Sequence, residues 1–198
     1  MTNSRVGFLV LAAGYSRRFG ECKLNYQLTE DETVFGRTLN NIIATGNKNI
    51  CVVAQPTSRL LRSLSDGEDR SIMVVPFASQ GIGESIANGV YNTPDWAGWI
   101  ICLADMPGIS SDIYSRMVEE AEQHDIVRPV FRGQPGHPVF FSKKYFRELS
   151  QLQGDEGAKT VLQNNKLHIH EIQVDDEGVS LDIDTPGNMQ KMHEYLKK

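Results

Sequence analysis

The chain has 198 residues, 40% hydrophobic and 23% charged, which is enough length and apolar content for a globular fold with a substantial core. A formal net charge of -5 argues against broad nucleic-acid binding, which needs a basic surface, yet leaves room for a small anion gripped by a few cations. No apolar run approaches the roughly 20 residues of a membrane helix, and the N-terminus lacks a secretory cleavage pattern, so the expectation is a cytoplasmic protein with no membrane partner. Cys51 and Cys102 sit in apolar runs and read as buried core thiols, while an odd cysteine count (with Cys22) and no CxxC fit a reducing compartment and argue against zinc.

In chain order, Val6 to Leu11 reads as a buried strand, Phe35 to Thr45 as a helix and Ile50 to Ala54 as a strand. Ser58 to Leu64 reads as helical, Ile72 to Val75 as a short strand and Glu84 to Tyr91 as a helix opening after glycines. Trp99 to Leu103 is a further strand, followed by a helix from Ser111 to about Gln123. Asp125 to Val130 and Pro138 to Ser142 read as strands flanking the turn-rich RGQPGHP, with helices over Lys143 to Gln151 and Gly157 to Asn164. A strand over His168 to Val174 and a last helix from Pro186, capped by Thr185, complete the pattern. Continuous apolar strands alternating with helices predict an α/β fold, a mixed, mainly parallel sheet covered on both faces, in one domain over residues 1–198. Ligands of such sheets bind beyond the carboxyl ends of the strands. The most unusual segments, Ala12 to Lys23, Ala104 to Gly108 and Asp182 to Pro186, all follow predicted strands.

The first of these segments has small residues at Ala12, Ala13 and Gly14, which let the backbone approach a ligand and line an anion nest, preceded by Leu11. Arg18 can then grip phosphate oxygens in a fork and Lys23 can act as a point charge, with the adjacent Arg17 read as solvated. Neither the P-loop nor the GxGxxG pattern is present. The second segment places Asp105 at the end of a buried strand, where an oxygen ligand for Mg²⁺ would point into the crevice; capping of the turn before Pro107 is the alternative. In the third, alternation puts Asp182 and Asp184 on one face of a strand, and two acids so close call for a cation or donor between them. Its alternative is Asp184 capping the last helix. Gly81 and Ser85 open a helix where a base could pack closely, and His137, between turn residues in Gly-His-Pro, reads as an exposed, ordered imidazole.

LAAGYSRRFGECK resembles the LAAGxSxRxGxxK signature of the NTP-transferase superfamily, whose three-layer α/β/α fold the chain is then expected to share. LADMP, DIDTP, PGHPV and the GDEGA of Gly154 to Ala158 are similar to motifs of its molybdenum cofactor cytidylyltransferase branch, which also includes molybdopterin-guanine dinucleotide synthase-like relatives. The resemblance implies that Arg18 and Lys23 bind nucleotide phosphates and that Asp105 holds Mg²⁺. Asp182 and Asp184 complete the metal site, with the strand end favouring Asp184. Gly81 and Ser85 lie near base and ribose, and His137 and Asp155 are on the acceptor side. It further implies CMP transfer from CTP to molybdopterin cofactor, with LAAG in place of LAGG separating CTP from GTP, and a molybdenum hydroxylase as recipient. A non-catalytic carrier of the cofactor is the reading from another class. The resemblance lapses at Leu24 to Val34, where an acidic turn replaces the usual Gly-x-Pro.

Overall fold

The computed structural model describes residues 5–14, 23–58, 64 and 72–197. The strands are β1 (Val6–Ala12), β2 (Ile50–Ala54), β3 (Ile72–Pro76), β4 (Gly98–Leu103), β5 (Ile126–Phe131), β6 (Gln134–Pro135), β7 (Val139–Ser142) and β8 (Ile169–Val174). The helices named here are α1 (Val34–Ile43), α2 (Ile82–Asn92), α3 (Ser111–Glu120), α4 (Phe146–Ser150), α5 (Lys159–Asn164) and α6 (Pro186–Tyr195). Most expected elements stand within a few residues of their expected bounds. The segment expected to be helical from Ser58 to Leu64 falls largely outside the described residues.

The strands form one sheet in the order β3-β2-β1-β4-β7-β5-β6, with β8 paired to β5. β3, β2, β1 and β4 are mutually parallel, β7 runs antiparallel to both β4 and β5, and β8 is parallel to β5. The sheet is therefore mixed and mainly parallel. β1 shows why its strands are apolar throughout. Phe8, Val10 and Ala12 join one core with Val34, Phe35 and Ile42 of α1, Tyr114 and Met117 of α3 and Met189 and Met192 of α6. Leu9, Leu11 and Ala13 join the other, with Ile86 and Val90 of α2, Leu149 of α4 and Val161 of α5. Alternate residues of one strand thus feed opposite faces, and helices cover both, which is the expected three-layer arrangement. Cys51 and Cys102 are buried free thiols, as expected, and burial pushes the Cys51 thiol up to about 12.

β1 leads to β2 on one side, while β4 lies on its other side, so the strand order reverses at β1. Such a reversal opens a crevice at the carboxyl ends of the strands, because the loops leaving β1 and β4 diverge to opposite faces.

Candidate active site

The crevice is real: a cavity of about 600 Å³ is lined by Leu11, Ala12, Ala13 and Gly14 from the end of β1 and by Leu103 and Asp105 from the end of β4. The mouth of α2 supplies Ser79, Gln80, Gly81, Ile82 and Ser85, and more distant segments supply Lys23, Leu24, Asp155, Asp182 and Asp184. Eleven of the thirteen residues singled out in the sequence thus share one cavity. Of the remaining two, Arg18 lies outside the described residues, and His137 is not in the cavity lining.

Neighbouring elements hold the two loops in place. Gln55, after β2, donates from Nε2 to the Ala13 carbonyl at 2.6 Å, fixing the turn that follows β1. Thr38 of α1, fully buried, donates from Oγ1 to the Ala104 carbonyl at 3.2 Å, and Asn41 Nδ2 donates to the Ile109 carbonyl at 2.9 Å. Helix α1 therefore sets the path of the loop carrying Asp105.

Asp182 and Asp184 lie in a segment that is not the expected strand. The segment is extended but has no ladder partner among the described residues, and a backbone hydrogen bond ties it to the site, from the Ile183 N–H to the Asp105 carbonyl at 3.1 Å. The alternation itself is present: Leu181 and Ile183 are buried, leaving Asp182 and Asp184 toward the cavity. The cap of the last helix is Thr185 and not Asp184. Thr185 caps α6 through a capping box with Asn188, whose Oδ1 accepts from the Thr185 N–H at 3.0 Å.

The centre of the site is an ammonium shared by two carboxylates. Lys23 Nζ lies 2.5 Å from Asp105 Oδ2 and 2.6 Å from Asp184 Oδ1, with side-chain exposures of 15% for Lys23, 18% for Asp105 and 45% for Asp184. Burial alone would lower the Lys23 pKa, but the two carboxylates outweigh it and hold the ammonium above its ordinary value. Asp182 faces the same charges, and among the described residues no cation is in contact with it. Partial burial, then the charges of Asp184 and Asp105, push its carboxyl upward.

The glycines at the mouth of α2 answer to protein as well as to the cavity. A Cβ on Gly81 would come within 2.3 Å of the Gly154 carbonyl oxygen and 2.8 Å of Asp155 Oδ1, and one on Gly83 within 2.6 Å of the Gln153 carbonyl oxygen. The Gly83 N–H donates to the Gly154 carbonyl at 2.9 Å. The loop that carries Asp155 is seated on the start of α2, and this contact brings Asp155 to the cavity.

His137 departs from expectation. It is half-buried where an exposed imidazole was predicted, and its Nδ1 is enclosed without a hydrogen-bond partner. Burial lowers its pKa, while the Asp105 charge pulls the other way. The reason is the turn itself: the His137 N–H donates to the Val179 carbonyl at 2.8 Å, and a Cβ on Gly136 would sit 2.4 Å from the same oxygen. The Gly-His-Pro turn packs against residues 177–180, which lead directly into Asp182 and Asp184.

A model of the MobA-like NTP transferase domain matches residues 8–171, most of the chain. The protein belongs to the MobA-like NTP transferase family. Among curated proteins this MobA-like chain is 30% identical over 186 residues to the purine catabolism protein PucB of Bacillus subtilis, covering 89% of this chain and 90% of the relative. It is 23% identical over 183 residues to the molybdenum cofactor cytidylyltransferase of Escherichia coli, covering 92% and 93%. Among solved structures, Rv0371c of Mycobacterium tuberculosis superposes with a TM-score of 0.82 at 26% identity, covering 96% of this chain and 98% of that one. Rv0371c has also been solved in complex with manganese, with a TM-score of 0.79, 23% identity and the same coverage. The MobA-like chain is thus a nucleotidyltransferase with a Rossmann-like sheet.

Sequence reading missed several parts of this MobA-like site. Ser79, 3% exposed, accepts from the Gly81 N–H at 3.1 Å and shapes the turn into α2. Gln55 and Thr38 act on the loops from other elements. Nothing in their local sequence marks them, because their partners are 42 and 66 residues away.

Proposed function

We propose that the protein transfers CMP from CTP to the terminal phosphate of molybdopterin cofactor, releasing pyrophosphate and forming the cytosine dinucleotide. The observation that carries this reading is the shared Lys23 ammonium, held by Asp105 and Asp184 at the cavity where β1 and β4 end. A site that already balances two carboxylates with one cation suits a polyphosphate and a divalent ion, which bring the opposite charges together.

The donor set fits Mg²⁺: Asp105 and Asp184 offer hard carboxylate oxygens, Asp182 lies in the same cavity, and a stand-in cation already sits between the first two. Bound there, the ion would neutralise phosphate oxygens and the charge that develops on pyrophosphate. The chain's own residues do the rest. Lys23, in the same cavity, would direct its ammonium to the phosphates. Backbone N–H groups at Ala12 to Gly14 line the same anion, joined by Arg18 on the strength of its motif position. Gly81 and Ser85, in the cavity lining, serve the base and ribose on the strength of their motif position, and Asp155, also in the lining, serves the acceptor with His137 on the same ground.

The acceptor phosphate has a second pKa near 6, so its oxygen is largely ionised at neutral pH and attacks the α-phosphorus without a general base. A bond forms from that oxygen to phosphorus, and the bond from the α-phosphorus to the bridging oxygen breaks, which releases pyrophosphate. Positioning and charge stabilisation supply the rate, so the enclosed His137 need not move a proton. On this reading residues 1–198 act as one unit in the cytoplasm and hand their product to a molybdenum hydroxylase.

Pyrophosphate release measured with CTP, GTP, ATP and UTP, each with and without molybdopterin cofactor, tests the proposal. Release is expected with CTP and to depend on the cofactor. Preference for GTP would overturn the nucleotide assignment. Binding of cofactor with no release from any NTP would identify a carrier instead.

A further inference from the structure

β5 runs antiparallel to β7, and β7 antiparallel to β4, so β5 and its partner β8 run in the same direction as β1 and β4. The nucleotide cavity lies at the carboxyl ends of β1 and β4. At the opposite rim, where β8 begins, three metal-ligating side chains converge. Glu120 is the last residue of α3, His124 stands in the turn after it, and His170 is the second residue of β8.

Glu120 Oε2 lies 3.6 Å from Nε2 of His124 and 3.3 Å from Nε2 of His170. One donor atom from each residue lies within 4.8 Å of the other two. Backbone geometry sets this convergence. The His124 N–H donates to the Glu120 carbonyl at 3.2 Å, so the helical path continues and brings positions i and i+4 together. Parallel pairing places His170 opposite Val127 at the start of β5. The two imidazoles are stacked, with centroids 3.6 Å apart and planes 5° from parallel.

A tetrahedral ion bound at about 2.0–2.1 Å spaces its ligands about 3.3–3.4 Å apart. The two separations from Glu120 lie close to that value. One imidazole N–H on the carboxylate would make an ordinary hydrogen bond, but gives no reason for a second ring to bring its Nε2 to the same oxygen. Among the described residues no lysine or arginine pairs with Glu120. Two imidazole nitrogens and one carboxylate form a borderline donor set, which favours a first-row transition ion over Mg²⁺.

We propose that Glu120, His124 and His170 bind a divalent transition-metal ion, Zn²⁺ foremost, at a site separate from the nucleotide cavity. Water completes the fourth position, since the three side chains are about a third exposed. Ligation splays the stacked rings so that both lone pairs meet the ion, and it clamps the end of α3 to edge strand β8. The site is a structural one and does not depend on the nucleotidyltransferase reading.

Cobalt titrated into the EDTA-treated full chain, followed by visible d–d absorption, tests the site. One equivalent should give the intense spectrum of four-coordinate cobalt, and Zn²⁺ should displace it. The spectrum should vanish in His124→Ala and His170→Ala and persist in Asp105→Asn. Zn²⁺ at saturation should raise the Tm of the EDTA-treated wild type by about 5 °C or more, and should leave that of His170→Ala unchanged. Glu120→Gln keeps the shape of the side chain and serves if a histidine variant fails to fold; it should weaken Zn²⁺ binding at least about tenfold. An unchanged spectrum in both histidine variants, its loss in Asp105→Asn, or no cobalt spectrum in the wild type would overturn the proposal.

Discussion

At the scale of single residues, the site is a problem of charge. Four aspartates line one cavity, and Lys23 is in contact with two of them. Lys23→Ala removes the counter-charge and leaves Asp105 and Asp184 repelling each other at partly enclosed positions. The metal-free variant should lose about 1–2 kcal/mol in urea denaturation, and added Mg²⁺ should restore part of that loss. Full recovery of stability without Mg²⁺ would show that the ion pair does not hold the segment. Because the folded-state pKa of Lys23 is raised, its contribution is complete below the ordinary value of 10.5 and is lost as pH rises through the folded value. For Asp182 the charged form is the disfavoured one. Its folded-state pKa lies above the ordinary 3.8, so the native state holds the proton more tightly than the unfolded chain does. Stability falls as pH rises from that ordinary value through the raised one. Asp182→Asn should therefore raise the Tm of the metal-free protein at pH 7, by about 1–3 °C after allowance for solvent screening. A lowered Tm would show that the Asp182 charge has a favourable partner.

At the scale of elements, what matters is which segments are forced into contact. The start of α2 and the loop at 153–155 meet backbone to backbone across Gly81 and Gly83. Gly81→Ala cannot be absorbed by a side-chain shift, because the obstacle is the Gly154 carbonyl. It should cost about 1–3 kcal/mol and move Asp155, so that KM for the acceptor rises more than KM for the nucleotide. Equal changes in both would separate Asp155 from acceptor binding. Individual elements were legible from local pattern where a segment is apolar throughout or carries its own cap, as with β1, β4 and the Thr185 cap of α6. The strand expected at Asp182 to Asp184 was not, because alternation of burial arises equally in an extended segment held by the Ile183–Asp105 backbone bond and the Lys23–Asp184 ion pair. The exposure of His137 was misjudged for a similar reason. Turn composition reports the path of the chain, not what the turn packs against, and here it packs against residues 177–180.

At the scale of the whole molecule, the sheet brings to one crevice groups up to 173 positions apart, since Leu11 and Asp184 line the same cavity. Ligand binding there should stabilise the entire fold by mass action. CTP with Mg²⁺ at about a hundred times the dissociation constant should add about 2.7 kcal/mol, read as a rise in Tm. Asp105→Ala should abolish that rise and lower kcat by about two to three orders of magnitude, while the fold survives. A retained shift would remove Asp105 from the metal site. No helix among the described residues is long and apolar enough to cross a membrane, in keeping with the sequence reading.

The amino-acid sequence alone determined the layering and the family: strands apolar on both faces require helices on both sides, and small residues followed by a lysine after the first strand carry the family's motif. The tertiary structure alone decided that Lys23 bridges Asp105 and Asp184, that Gly81 seats the loop of Asp155, and that Glu120, His124 and His170 meet at the far rim. The division follows from range. Hydrophobic period and capping act over a few residues and are written locally, whereas a charge partner 161 positions away becomes a neighbour only when the sheet closes.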